Sequence, residues 1–168
     1  MKKNYAWHFV GDRLRDGRPV PPAGVWLEHE GPLEMCESGL HFSYSAFDTL
    51  KYAPGPTLCL VEVGGLVLLG KDKGVCTRRK IIARKDASKA LRYFARLQAL
   101  AVVHLWEAPE VVLDFLMTGD LALRSAAWSA AWSAARSAAW SAARSAAESA
   151  AREGWDGMAE EAFSEHLD

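Results

Sequence analysis

Apolar and polar positions in the first 119 residues follow two successive patterns, first that of strands and then that of helices. The aromatic and β-branched stretch Tyr5–Val10 (Y-A-W-H-F-V) predicts a first strand. Further short strands are predicted at Val25–Glu28, Leu33–Cys36, Leu40–Ser43, Leu58–Val63, Leu66–Leu69 and Val75–Ala83. Turn residues separate these segments, so the pattern predicts a small, mostly antiparallel sheet of roughly five to seven strands.

Helix signals follow the strands. Ser45 and Asp86 stand at N-cap positions, the first before a short helix over residues 46–52 and the second before Ala87–His104. A further helix is predicted at Pro109–Met117, with a first-turn proline. Because the strands come first and the helices afterwards, the order predicts an α+β fold.

The segment Ser125–Arg152 consists of seven consecutive S-A-A-x tetrads. It contains no glycine, proline or β-branched residue, so it predicts one long α-helix, capped by Asp120 and ended by Gly154. The sequence therefore predicts three parts: a compact module over residues 1–119, a repeat helix over 120–153 and an acidic tail over 154–168.

Three tryptophans of the repeat, Trp128, Trp132 and Trp140, fall on an arc of roughly 120° around the predicted helix. Such an indole stripe is too apolar to leave in water. It packs either on the globular part of its own chain or on another helix, and the alanines would let a second helix approach closely. The leading prediction is a homo-oligomer that assembles through these residues and Trp155.

Charge is distributed unevenly although the net charge of the 168 residues is −1. Residues 71–96 hold ten Lys or Arg against two Asp, whereas residues 153–168 hold six acidic residues and no Lys or Arg. These segments are either two solvated faces, or the acidic tail docks on the basic segment of its own chain or of a neighbour.

Composition places the protein among soluble cytoplasmic proteins. The three cysteines are widely spaced, which is typical of reduced thiols, and they form no C-x-x-C pair for a metal. The first ten residues do not have the pattern of a signal peptide, and no run of about 20 apolar residues predicts a membrane span. The sequence predicts no metal and no resident cofactor.

Several short motifs in the first 120 residues resemble an uncharacterised family of phage and bacterial proteins. The motifs are C-E-S-G-L-H at Cys36–His41, Y-A-P at Tyr52–Pro54, E-V-G at Glu62–Gly64 and D-K-G-V-C-T at Asp72–Thr77. Members of that family often carry Ala-rich helical tails. The resemblance implies a phage-type accessory protein and supplies no mechanism.

A second resemblance is to ADP-ribosyltransferases, on Trp7-His8 and on the segment from Gly39 to Ser43 with the later Tyr52. It implies an NAD-dependent enzyme in which His8 holds the ribose, His41 stands at a tyrosine position and Tyr52 stacks on the nicotinamide ring. Phe9 departs from the family pattern. Glu62 is the remaining candidate for the catalytic acid.

A cluster of basic residues leaves nucleic-acid binding open as another alternative. The cluster comprises Arg78, Arg79, Lys80, Arg84 and Lys85. On a strand, Arg78 and Lys80 share one face and Arg79 lies on the other, so the cluster offers a modest patch for phosphates. The leading prediction remains a non-enzymatic scaffold or interaction protein.

Overall fold

The computed structural model describes residues 4–134, 151–152 and 154–167. The chain forms two compact units, Met1–Ser88 together with Trp155–Asp168, and Lys89–Gly154. We call them the sheet unit and the helical unit. This division differs from the predicted parts 1–119, 120–153 and 154–168, because the C-terminal segment joins the sheet and the chain changes unit at Ser88.

The elements appear in the predicted order. The strands are β1 Tyr5–Val10, β2 Trp26–Glu28, β3 Leu40–Phe42, β4 Thr57–Leu69 and β5 Gly74–Asp86. The α-helices are α1 Ala46–Thr49, α2 Ser88–Ala101, α3 Glu110–Thr118 and α4 Arg124–Ala134, with 3-10 turns at Leu50–Tyr52, Val103–Leu105, Leu121–Leu123 and Ser164–His166. Residues 151–152 and 154–162 are also helical.

The five strands form one antiparallel sheet, so the α+β class and the antiparallel pairing are confirmed. The strand order is β1-β4-β5-β2, and β3 pairs with a separate part of β5. The residue after β3, Ser43, exchanges backbone hydrogen bonds of 2.8 and 3.0 Å with Trp7 of β1. The strands β1, β4, β5 and β3 therefore form a closed circuit, which leaves few free sheet edges around the core.

Two predicted strand boundaries are wrong at Gly64-Gly65, because β4 runs through this pair where a turn was predicted. The register with β5 shifts between Gly64 and Val67, and Gly65 has a φ of 71°. A Cβ at Gly65 would collide with the Thr77 hydroxyl. The two glycines thus form a bulge that bends a continuous strand.

The predicted strand Leu33–Cys36 is also wrong. Within that segment the only pairing is an isolated bridge between Glu34 and Ser38, which closes a turn. Cys36 adopts a φ of 72°, a left-handed conformation that a strand residue does not take. The turn wraps one side of the candidate site described below.

The C-terminal segment covers the outer face of β1. Side chains alternate between the two faces of the strand, and those of Ala6 and Val10 lie in the sheet core. Trp7 and Phe9 lie on the other face, where Trp7 meets Phe163 edge-on at 5.3 Å and Phe9 stacks on Trp155 at 6.4 Å between ring centroids.

Polar contacts fix the same segment to α1. The Trp155 Nε1 donates a hydrogen bond of 3.2 Å to the Ala46 carbonyl. The Asp156 carboxylate accepts from the Ser45 hydroxyl at 2.9 Å and from the Phe47 backbone N–H at 2.6 Å. Ser45 itself caps α1, as predicted, by accepting from the Asp48 N–H.

Two predictions about this segment are therefore corrected. Gly154 does not end a helix, since residues 154–162 are helical. Trp155, assigned from the sequence to an interface between copies, is 1% exposed and belongs to the core of its own sheet unit. Its spacing with Ala159 and Phe163 places all three on one buried face.

The helical unit packs α4 against α3 through small side chains. Ala127 of α4 is buried with Val112 and Leu116 of α3. Asp120 caps the 3-10 turn Leu121–Leu123, whereas the sequence placed it directly at the repeat helix. The helix α4 has 11 residues, of which all but Arg124 belong to the repeat. Residues 151–152 at the end of the repeat are also helical. The part of the repeat between them, including Trp140, lies outside the described residues. No helix in the described ranges is long and apolar enough to cross a membrane.

Candidate functional site

An open cleft in the sheet unit, with a volume of about 1000 Å³, is lined by all three candidate residues His8, His41 and Tyr52. His8 comes from β1, His41 from β3 and Tyr52 from the 3-10 turn after α1. The closed circuit of strands brings β1 and β3 together, although about 30 residues separate them in sequence. The structure thus brings together three residues that the resemblance to ADP-ribosyltransferases assigns to one site.

His8 is half-buried on β1, and its imidazole has no hydrogen-bond partner among the described residues. Burial lowers the pKa of its imidazole well below the usual value, and the charges of Arg79 and His41 lower it further. At neutral pH the ring is therefore uncharged. It offers the cleft one N–H donor and one acceptor nitrogen.

His41 is held by the turn that precedes it. Its Nε2 accepts a hydrogen bond of 3.0 Å from the Cys36 backbone N–H, so this nitrogen carries no proton. Burial lowers the His41 pKa most, followed by the charge of Lys73, while a hydrogen bond to the Gly39 backbone opposes the shift. His41 therefore fastens the Cys36–Gly39 turn in its neutral form, and a proton on Nε2 would break that contact.

Tyr52 lies at the rim, with its side chain 46% exposed. Its hydroxyl donates a 2.9 Å hydrogen bond to Asp72, which also accepts from Lys51 at 3.3 Å. The Lys73 Nζ lies 4.1 Å from the centroid of the Tyr52 ring. A planar ligand that stacks on this ring would have to share it with Lys73 or displace the ammonium.

Arg79 also lines the cleft, a position that was not predicted for it. It was assigned to a surface patch, but it is 4% exposed and lines the cleft. Its guanidinium donates to the His41 carbonyl, while its buried Nε has no hydrogen-bond partner. Burial lowers its pKa to about 10, so it stays charged at neutral pH. The sequence did indicate the orientation of Arg79, because neighbouring residues of a strand point to opposite faces. Arg79 therefore points away from Arg78 and Lys80, toward the buried face.

The rest of the predicted basic patch does not form one cationic surface. Arg78 pairs with Glu28 at 3.0 Å, and Lys80 pairs with Glu62 at 2.7 Å. Both cations also lie over the Trp26 ring, at 4.7 and 4.5 Å from its centroid. Glu62 is thus engaged with Lys80 and does not line the cleft, which removes the proposed catalytic acid from the site.

Among the described residues, Lys85 contacts the acidic C-terminal segment of the same chain. Lys85 donates to the Ala162 carbonyl and lies 4.0 Å from the Glu165 carboxylate. Its ammonium is also 5.4 Å from the Phe163 ring centroid. Arg84 is exposed. In the part of the chain that the structure describes, no group of three or more His, Cys, Asp or Glu side chains could hold a metal ion.

The family model described as a domain of unknown function, DUF7666, matches residues 5–93. The chain belongs to the DUF7666 family. Comparison with curated proteins and with solved structures finds no match. The matched range includes all five strands and every residue that lines the cleft, whereas α3 and α4 lie beyond it. The cleft therefore lies within the matched range, and the tryptophan repeat lies outside it.

Proposed function

We propose that this protein self-associates through the tryptophans of its repeat and thereby presents several DUF7666 domains on one assembly. One observation carries the proposal: Trp128 is 73% exposed and Trp132 is 66% exposed. The alternative that these two indoles pack on their own domain leaves their exposure unexplained. The Ala face of α4 is occupied by α3, so the close helix contact expected for it lies within the chain.

A second copy of the same helix is the occupant that fits the indoles best. Two residues four positions apart lie one above the other on a helix, so an antiparallel pair of α4 helices would place the stripes face to face. Each indole buries roughly 150–250 Å². Four indoles would bury on the order of 600–1000 Å², which approaches the area of a small specific interface before any contribution from Trp140.

Trp132→Ala is expected to lower the solution mass of the protein, measured by sedimentation velocity. An aromatic residue at the centre of an interface commonly contributes about 2–4 kcal/mol, so the association constant would fall by roughly 30- to 1000-fold. Arg124→Ala is the matched control, since it removes an exposed side chain from the same helix. A mass that stays the same in both variants would exclude the indoles as the contact.

The second candidate is an NAD-dependent ADP-ribosyltransferase-like enzyme, which the convergence of His8, His41 and Tyr52 on one cleft favours. His8 would hydrogen-bond the ribose through its unoccupied nitrogens, and Tyr52 would stack on the nicotinamide. His41 fits the role less well because its Nε2 is taken by Cys36. With Glu62 outside the cleft, NAD binding is the part of this candidate that the site supports.

Millimolar NAD is expected to raise the melting temperature if this second candidate holds. A ligand that binds only the folded state at ten times its Kd stabilises it by about 1.4 kcal/mol, which corresponds to a few degrees. His8→Ala should abolish the shift, whereas His104→Ala, an exposed residue of the helical unit, should leave it intact. An absence of any shift in the unmodified protein would eliminate the enzyme.

A further inference from the structure

The floor of the cleft holds a positive charge that no carboxylate among the described residues neutralises. Arg79 is 4% exposed, and its buried Nε lacks a hydrogen-bond partner. No carboxylate among the described residues contributes to its electrostatics, since burial and the two thiols of Cys76 and Cys59 are the influences on it. Burying an unpaired guanidinium is costly, so folds keep one where something else supplies the opposite charge.

The walls of the cleft carry charge of the same sign. Four further cations line it, namely Arg13, Arg15, Arg18 and Lys73, against the two carboxylates of Asp16 and Glu37. Asp16 is already bound to Arg18 at 2.6 Å. Arg13 and Arg15 are held by backbone carbonyls, those of Gly17 and Cys36, each at 3.0 Å. A carbonyl positions a guanidinium without cancelling its charge, so the cleft keeps an excess of positive charge.

We propose that this cleft is a binding site for a phosphate-type oxyanion, with Arg79 supplying fixed positive charge at the floor and Lys73 and Arg15 supplying contacts at the mouth. The half-buried His8 adds a neutral N–H donor from β1. The volume of about 1000 Å³ exceeds what a free phosphate needs, so the natural ligand is an organic phosphate whose remaining part occupies the space toward Tyr52. The proposal rests on the same cleft as the second candidate function but requires no NAD chemistry.

The positive charge of the cleft and its guanidinium and ammonium donors suit a phosphate group. Guanidinium groups bind phosphate oxygens through paired N–H donors, and an ammonium adds a mobile point charge. The charges of Arg79, Lys73 and Arg15 all lower the pKa of His8 or His41, which places these two rings in the same positive field. An anion bound among these groups would raise the pKa of both rings.

The test is a calorimetric titration of the 168-residue chain with inorganic phosphate and, separately, with pyrophosphate at low ionic strength. We expect saturable binding of one anion per chain that weakens as chloride is added. Lys73→Ala and Arg15→Ala should each weaken it by about tenfold, and Arg79→Met by roughly 10- to 100-fold. Arg84→Ala removes an exposed cation of the same strand outside the cleft, so it should change binding less than about twofold.

Folding of the Arg79 variant is checked by its own melting temperature. Methionine keeps the length of the side chain and relieves the desolvation of the buried cation, but it removes the hydrogen bond that Arg79 donates to the His41 carbonyl. We therefore expect Arg79→Met to keep a cooperative melt and to lose the phosphate-induced shift. If Arg79→Met unfolds, Lys73→Ala and Arg15→Ala decide the question, because both lie at the mouth.

Three results would overturn the proposal: no saturable binding of either anion, equal weakening by Arg84→Ala and Lys73→Ala, or unchanged affinity in a folded Arg79→Met protein. The pKa of His8 can be measured by proton NMR with and without phosphate. An unchanged pKa would also count against the proposal. Binding of pyrophosphate with no response to NAD would remove the enzyme candidate and leave this site standing. Binding of neither anion together with a clear NAD response would do the reverse.

Discussion

Replacing Trp155 with alanine is expected to lower the free energy of unfolding of the sheet unit by about 3–5 kcal/mol, measured by denaturant titration. The indole is 1% exposed, stacks on Phe9 and donates a hydrogen bond to the Ala46 carbonyl. The substitution would therefore leave a large cavity and remove one of the two hydrogen bonds that the Ala46 carbonyl accepts, the other coming from the Thr49 hydroxyl. An effect of this size approaches the total stability of many small domains.

Trp128→Ala is the matched control, because it removes the same side chain from a position that is 73% exposed. In a monomeric preparation it should change the free energy of unfolding by less than about 0.5 kcal/mol. If the two tryptophan variants lost equal stability, Trp155 would not be packed as the structure shows.

Removing residues 155–168 altogether is expected to abolish cooperative unfolding of the sheet unit. The truncation uncovers Trp7 and Phe9 and leaves the N-terminus of α1 without the Asp156 carboxylate. Near-UV circular dichroism and amide NMR dispersion would report the loss of fixed packing. A truncated protein that keeps its cooperative melt would contradict the assignment of this segment to the sheet unit.

A charge-only variant separates apolar packing from electrostatics in the same segment. Changing Glu160, Glu161 and Glu165 to glutamine keeps every buried aromatic and removes three negative charges. Exposed ion pairs contribute about 0–1 kcal/mol, so the variant should melt close to the unmodified protein. A collapse of stability in this variant would mean that acidic docking, rather than Trp155 and Phe163, holds the segment.

Local patterns predicted the local structure well. The alternation in Tyr5–Val10 gave β1 with the observed limits, and Ser45 caps the first helix as expected. Asp86 accepts a hydrogen bond from the N–H of Ser88, the first residue of α2, one residue later than the predicted start. Gly119 ends α3 with a φ of 70°, as a C-terminal glycine should. These features depend on side chains a few residues apart, so a single sequence carries enough information to place them.

Long-range features could not be predicted in the same way. Trp155 and Phe163 follow an Ala-rich repeat and lie among acidic residues, so the sequence suggested a loose tail. In the structure they pack against β1, where Phe163 contacts Trp7. Arg79 belongs to a basic segment that is typical of a solvated surface. It points inward because the closed circuit of strands buries one face of β5. Gly64-Gly65 signals a turn or a bulge equally well until the pairing with β5 is known.

The packing of Trp155 and Phe163 on the sheet unit determines which variants can test self-association. Deleting residues 121–168 would remove the indole stripe but also Trp155 and Phe163, so a change in mass would be ambiguous. Point variants within α4 avoid this because they leave the C-terminal segment in place. Leu66, 72% exposed at the far end of the β4–β5 hairpin, is the matched control for exposed apolar surface elsewhere.

The most direct measurement is sedimentation equilibrium of the full-length protein beside the double variant Trp128→Ser/Trp132→Ser and the single variant Leu66→Ser. Self-association through the repeat predicts that the unmodified protein and Leu66→Ser have at least twice the chain mass of 18.4 kDa, and that the double variant returns to a single chain. A monomeric unmodified protein, or a double variant that keeps the mass of the assembly, would contradict it.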